Sequence, residues 1–402
     1  MKTVLLNALA STAGGGVTYL RNVLPRLGRF DEAQCYFVIA PPEHLSDYAP
    51  FANDRLSIET VPVRGGSLAR MWWEQTGLRA MIRSRRIDAL ISLGNFALIG
   101  SPIPQILFNR NDLYFSPEFA RDLRSRKLHG LFIAHRMKSW LSRQSIKRAT
   151  INVAPTTALA NRVQATDGLR GVEVEILRFG FDSKSFKADR EPLPESLLAK
   201  LNLNANCRRL LCVSHYNYFR NFETLIRALP IIKSKLKQQT GEDAQLVLTT
   251  DIKRGAVYGD YDATDAAELI DRLGVREDIA MLGAVEYGKL HQLYQLCDAV
   301  VCPSYSESFG HPLVEAMASS APVIAANLQA QLEVCGDAAV YFDVFNEVEL
   351  ADQCLRVLAD RSLSERLRVK GEERSRQFSW DEHVRGLVAL INRVVRQRTK
   401  HG

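Results

Sequence analysis

The sequence predicts an α/β protein of two doubly wound domains, each built on a parallel sheet. Three observations carry this. Short apolar runs of strand length alternate with helical patterns through both halves of the chain. Runs such as residues 89–92 and 299–302 are apolar nearly throughout rather than alternating, which suits strands covered on both faces. The length of 402 residues is ample for two ordinary domains and long for one.

In the first half, strands are expected at 3–7, 35–39, 58–61, 89–92, 105–108 and 150–154, with a helix over 17–27. In the second, strands are expected at 209–214, 245–250, 279–282, 299–302 and 323–326, separated by helices such as 222–229 and 266–273. The polar segment 187–206 contains Pro192 and Pro194 and reads as the linker, so the domains are expected at 1–188 and 189–383. Residues 89–109 carry no charge over 21 positions, but Gly94, Gly100, Pro102 and Pro104 divide them into two short strands rather than a membrane span.

Hydrophobic residues at 46% and charged residues at 24% describe a globular chain. Seven cysteines without a CxxC pair give neither a disulfide framework nor zinc-ligand spacing, and a reducing cytoplasm is the simplest setting. No secretory signal precedes the first strand. Residues 121–148 hold nine Lys/Arg against one Asp, a surplus larger than the net charge of +7, so the basic character is local. Leu128, Leu131, Phe132, Met137, Trp140 and Leu141 interleave with these charges. Such a segment either lies on an anionic lipid surface at the cytoplasmic face of a membrane or presents an ordinary solvated basic face. No recognition motif for nucleic acid accompanies the charge.

The most informative stretch is Ser306-Glu-Ser-Phe-Gly-His-Pro-Leu-Val-Glu-Ala-Met317. It follows a buried strand, and Pro312 suits the first turn of a helix, expected to run through 313–320. Glu307 therefore falls in the loop at the carboxyl edge of the strand and Glu315 in the first turn of the helix. A helix N-terminus favours an anion such as a diphosphate, and two carboxylates can accept hydrogen bonds from sugar hydroxyls. Taken singly, Glu315 reads as a dipole-complementing residue and Glu307 as a solvated loop charge.

The whole string resembles the E-x7-E signature of retaining glycosyltransferases of the family 4 type. That resemblance implies the GT-B architecture, two Rossmann-like domains with an interdomain cleft, and a last helix, here 384–402 after Phe378-Ser-Trp-Asp, packing back on the first domain. It assigns Glu307 to the donor hexose and Glu315 to the ribose, with Phe309, Gly310, His311, Leu313 and Val314 around the donor. Residues 212–226 resemble the segment that opens the second domain, where two basic groups hold the diphosphate. Here His215 stands where Arg is usual and Arg220 where Lys is usual. Arg220 can still grip a diphosphate bidentately, whereas His215 is cationic only part of the time near neutral pH. Gly14, Gly15 and Gly16 open the first helix and correspond to a loop near the donor phosphates and acceptor. Asn111 takes a position where the family often has His, and positions a hydroxyl rather than acting as a base.

Asp260-Tyr-Asp262 matches a D-x-D metal string but lies among polar loop residues, so no metal or other cofactor is expected. The implied activity is transfer of a hexose from a nucleoside-diphosphate sugar to a glycan or lipid-linked acceptor in bacterial surface polysaccharide or lipopolysaccharide assembly. The rivals are a non-catalytic membrane-associated scaffold of the same fold and a nucleotide-sugar epimerase.

Overall fold

A computed structural model describes every residue except Ala13, Pro62, Arg64, Gly65 and Gly402, and all described side chains except those of Ser67, Leu68 and 397–401. The chain forms two compact units. The first comprises Met1–Ser116, Phe132–Gly180 and Ser379–Gly402; the second comprises Pro117–Leu131 and Phe181–Phe378. The boundary thus falls eight residues before the expected 188/189, and a fifteen-residue segment of the first half groups with the second unit.

The first unit holds a seven-stranded sheet of β1 (Lys2–Asn7), β2 (Gln34–Ile39), β3 (Leu56–Glu59), β4 (Ala89–Ser92), β5 (Gln105–Phe108), β6 (Ile151–Ala154) and β7 (Val174–Ile176). Its order is β3-β2-β1-β4-β5-β6-β7, with every pairing parallel. Leu5, Phe37, Ile39, Leu78, Ile82 and Leu90 pack one core under the sheet. The uncharged run 89–109 becomes β4 and β5, and among the described residues no helix is long and apolar enough to cross a membrane.

The helix Trp380–His401 belongs to this unit and begins earlier than the expected 384. It is fixed by His383, whose Nδ1 lies 2.8 Å from the Arg178 carbonyl and whose Nε2 lies 3.0 Å from the Tyr19 hydroxyl. Burial, with the nearby Arg110 charge, pushes His383 down to about 4, so the ring is neutral: Nδ1–H donates and Nε2 accepts.

The second unit holds β8 (Cys207–Cys212), β9 (Asp243–Leu248), the small antiparallel hairpin β10 (Val257–Tyr258) and β11 (Tyr261–Asp262), then β12 (Ile279–Met281), β13 (Ala299–Cys302), β14 (Val323–Ala326) and β15 (Ala339–Phe342). The main sheet runs β12-β9-β8-β13-β14-β15, all parallel. The chain order reverses between β8 and β13, the switch point beyond whose carboxyl ends ligands bind in such sheets. Strands expected at 209–214 and 245–250 end two residues earlier, because the Ser214 amide bonds the Thr249 hydroxyl instead of extending the ladder. Asp260 of the Asp260-Tyr-Asp262 string lies in the hairpin turn beside Gly259, at φ 62°, while Tyr261 and Asp262 form β11, and no cluster of three metal-ligating side chains occurs among the described residues.

A β-carbon at Gly180 would lie 2.1 Å from the Trp380 amide nitrogen. Gly180→Ala is therefore expected to cost about 1–3 kcal/mol by forcing the C-terminal helix away, or to abolish folding. Urea denaturation with wild-type stability would remove this packing constraint.

Candidate functional site

Two loops meet at the switch point of the second unit. The first leaves β8 and reaches Tyr218–Arg220, a 3-10 turn capped by the Asn217 side chain, which accepts from the Arg220 amide at 3.0 Å. Asn221 then adopts a left-handed conformation, φ 56°, that turns the chain into the helix Phe222–Thr240. Its Nδ2 donates to the Pro303 carbonyl at 3.0 Å, while the Thr224 hydroxyl donates to its Oδ1 at 2.8 Å. The second loop, 303–310, follows β13, and its Tyr305 amide donates to the Phe219 carbonyl at 2.9 Å. Backbone and side-chain bonds thus lace the two loops together.

At their centre Arg220 pairs with Glu307 and also donates to the Ser304 hydroxyl at 3.3 Å. Arg220 Nε is buried with no hydrogen-bond partner. A buried guanidinium N–H without an acceptor is costly, so this donor is available to an anion. Cys212, Val213, Ser214, Arg220, Ser304 and Glu307 line a cleft whose far side is Gly310, Pro312 and Leu313.

Gly310 precedes the helix His311–Ala318 and has φ 87°, a conformation glycine adopts without penalty. The N-terminus of this helix has no side-chain cap and no acidic residue in its first turn, so its positive end is left to the cleft. The Leu313 amide is committed to the Gly310 carbonyl at 3.0 Å, which closes the first turn, so Leu313 borders the cleft without a free backbone donor.

Glu315 is the fifth residue of the helix rather than part of its first turn, and only 5% exposed. It accepts from the Tyr294 hydroxyl at 3.0 Å, with Tyr287 as a second donor. Burial pushes its carboxyl up to about 7 despite both tyrosines. Glu307 lines the cleft; Glu315 is held beside it by the two tyrosines and is not among the lining residues. Phe309 is buried, with its ring 5.1 Å from His311 and 5.5 Å from Phe378, and Val314 is fully buried. His215 is exposed and absent from the lining. Gln331, which sequence patterning does not single out, lines the cleft with a buried, unpartnered Oε1; its helical context Gln329–Cys335 reads only as packing.

The remaining candidates lie in the first unit. Gly14 caps the helix Gly15–Phe30 at φ 53° and ψ −131°, and a β-carbon at Gly16 would lie 2.8 Å from Ser11 Cα. The Gly15 carbonyl accepts from Arg110 Nη2 at 2.9 Å. Arg110 lies over the rings of Tyr19 and Phe179 and is a residue sequence reading passes over beside Asn111. The Asn111 side chain caps the turn Asp112–Phe115 through the Leu113 amide at 3.1 Å.

The pH behaviour of Glu315 is testable. A carboxyl whose pKa is raised in the folded state binds its proton more tightly there, so stability falls as pH rises from about 4.5 to about 7 and is level above. Glu315→Gln is expected to flatten this slope, worth on the order of 3 kcal/mol, in urea titrations across that window. An unchanged slope would show that Glu315 does not carry it.

Residues 195–374 match the family described as Glycosyl transferases group 1. The O-antigen chain mannosyltransferase B of Escherichia coli is 36% identical over 115 residues, 28% of this chain and 30% of that protein. The first curated relatives are matched over less than a third of their own length. Among solved structures, sucrose-phosphate synthase from Thermosynechococcus elongatus superposes with a TM-score of 0.72 at 17% identity, covering 98% of this chain and 99% of that one. Anabaena HepE, solved with UDP and glucose, gives 0.67 at 18% identity over 98% and 100%. The fold is that of the GT-B glycosyltransferases, and the match to the group 1 glycosyl transferases spans residues 195–374 of it.

Proposed function

We propose that the chain is a retaining glycosyltransferase that moves a hexose from a nucleoside-diphosphate sugar to a glycan or lipid-linked acceptor, in assembly of a bacterial surface polysaccharide or lipopolysaccharide. The observation that carries this reading is the Arg220–Glu307 pair at the sheet switch point, facing an uncapped helix N-terminus. A diphosphate satisfies both the helix end and the free Arg220 Nε–H, while Glu307 accepts from sugar hydroxyls and Glu315 from the ribose. HepE, solved with UDP and glucose, and the O-antigen mannosyltransferase support the donor class and the setting.

In the reaction the bond between the sugar anomeric carbon and the diphosphate oxygen breaks, and a bond to the acceptor oxygen forms on the same face. The acceptor proton goes to the departing diphosphate, so no protein base is required. Arg220 and the helix end stabilise the charge that grows on that leaving group. No step calls for a metal, so turnover is to be measured in EDTA. Arg220→Ala is expected to lose about 2–4 kcal/mol of transition-state stabilisation, read as kcat/KM against the native enzyme. Full activity in Arg220→Ala would remove the residue from this role. Donor hydrolysis without acceptor counts against the scaffold reading, and recovery of donor with an inverted hydroxyl would favour the epimerase.

A lipid-linked acceptor agrees with the helix His129–Arg148. It is amphipathic in reverse: His135, Ser139, Ser142 and Ser145 are buried, while Ile133, Met137 and Trp140 are 67%, 44% and 58% exposed. These three stand at one helical face with exposed Arg136, Lys147 and Arg148 near them. Leu128, Leu131, Phe132 and Leu141 are half-buried, so the apolar face is narrower than the sequence suggests. We place this face on the anionic cytoplasmic leaflet, with the rings and alkyl chains in the headgroup region and the cations on lipid phosphates. Trp140→Ser is expected to reduce sedimentation with phosphatidylserine vesicles severalfold while neutral vesicles bind neither form. Equal binding by both forms would sink this attachment.

A further inference from the structure

The segment Pro117–Leu131 belongs to the second unit although the chain on both sides of it belongs to the first. Its helix Pro117–Ser125 buries Phe119 and Leu123. Its Arg121, Arg124 and Lys127 are exposed, but Asp122 and Arg126 turn inward into a polar network. Arg126 Nε donates to Asp122 Oδ1 at 2.8 Å, and its Nη2 donates to Glu223 Oε1 at 2.9 Å. Asp265 stands 3.7 Å from Nη1, and the guanidinium lies over the Tyr218 ring at 4.2 Å. Asp122 accepts a second bond from the Tyr305 hydroxyl at 2.6 Å, across 183 residues of sequence. Phe119 meets Phe219 edge-on, ring centres 6.3 Å apart.

Every long-range partner in this network except Glu223 and Asp265 sits on one of the two site loops. Tyr218 and Phe219 immediately precede Arg220; Tyr305 is two residues from Glu307. The two loops are already joined by the Tyr305 amide to the Phe219 carbonyl. A single half-buried cation among three carboxylates therefore holds the flanks of both residues of the central pair.

We propose that Asp122, Arg126 and Tyr305 are positioning residues that fix the geometry of Arg220 and Glu307 from outside the cleft, making Pro117–Leu131 a brace of the transfer site. None of the three lines the cleft, so they act through the loops and not on substrate. Burial and the Asp122 carboxylate raise the Tyr305 pKa, which keeps the hydroxyl a donor at all working pH values. The catalytic consequence rests on the transferase reading given above; the mechanical one does not.

The experiment compares Arg126→Met, Arg126→Lys and Tyr305→Phe with Arg208→Met. Arg208 bridges Glu242 and Asp298 at the amino edge of the same sheet, and serves as a control for losing a charged cluster away from the loops. Arg126→Met is expected to lower kcat about 10- to 100-fold, with the donor KM changed far less. Arg126→Lys should recover part of it, and Tyr305→Phe should show a smaller loss with Tm near wild type. Arg208→Met should lower Tm and leave kcat alone. Hydrogen exchange is read in parallel: the amides of 304–308 should exchange faster in Arg126→Met and not in Arg208→Met. Unchanged kcat in Arg126→Met and Tyr305→Phe, or a kcat loss matched by Arg208→Met, overturns the catalytic role. Unchanged exchange at 304–308 overturns the brace itself. If the native chain neither turns over a nucleotide sugar nor binds a nucleoside diphosphate, the transferase reading fails while the exchange result still decides the brace.

Discussion

All strands of the second main sheet run parallel, and this constraint organises the site. Parallel strands deliver every loop that follows a strand to the same edge, so Arg220 after β8 and Glu307 after β13 meet although 87 residues separate them. The reversal of strand order leaves a gap between the helices that follow these neighbours, and the cleft occupies it. Everything local serves that meeting. Asn217 caps the turn, Asn221 bends the chain through a left-handed step, and Gly310 allows a helix to begin with its N-terminus directed at the same space.

The charges there are held in unequal states. Glu307 is paired with Arg220, whereas Glu315 sits among apolar atoms and two tyrosine hydroxyls with its carboxyl pushed up to about 7. A carboxyl so placed is poised near neutrality, and the tyrosine hydroxyls that donate to it favour its ionised form. Burial of Glu315 is thus a cost to the fold that those two donors only partly offset.

Local chemistry made much of this visible in the sequence. The apolar runs at 299–302 and 323–326 became strands with unshifted limits, because both are buried on both faces and cut off by Pro303 and Asn327. Pro312 marked the helix start through its own backbone preference. β7 escaped notice because its three residues are half-exposed and include Glu175, and the hairpin because its strands are two residues long. The tyrosines around Glu315, the Gln331 amide in the cleft wall and the Asp122–Tyr305 bond depend on tertiary proximity alone, which no periodicity encodes. The fifteen residues that change unit are the sharpest case: by composition they are part of a basic run, yet Arg126 is a half-buried partner of acids.

That exchange of fifteen residues bears on modular recombination of such chains. Swapping front halves between relatives by cutting once near the middle would separate Pro117–Leu131 from the loops it packs on. A chimera would then carry a foreign helix against its own site loops, with Asp122 and Arg126 replaced by whatever the donor of the front half happened to encode. Grafts that transplant this internal stretch together with the back half keep the matched set, so the unit to transplant is discontinuous along the chain.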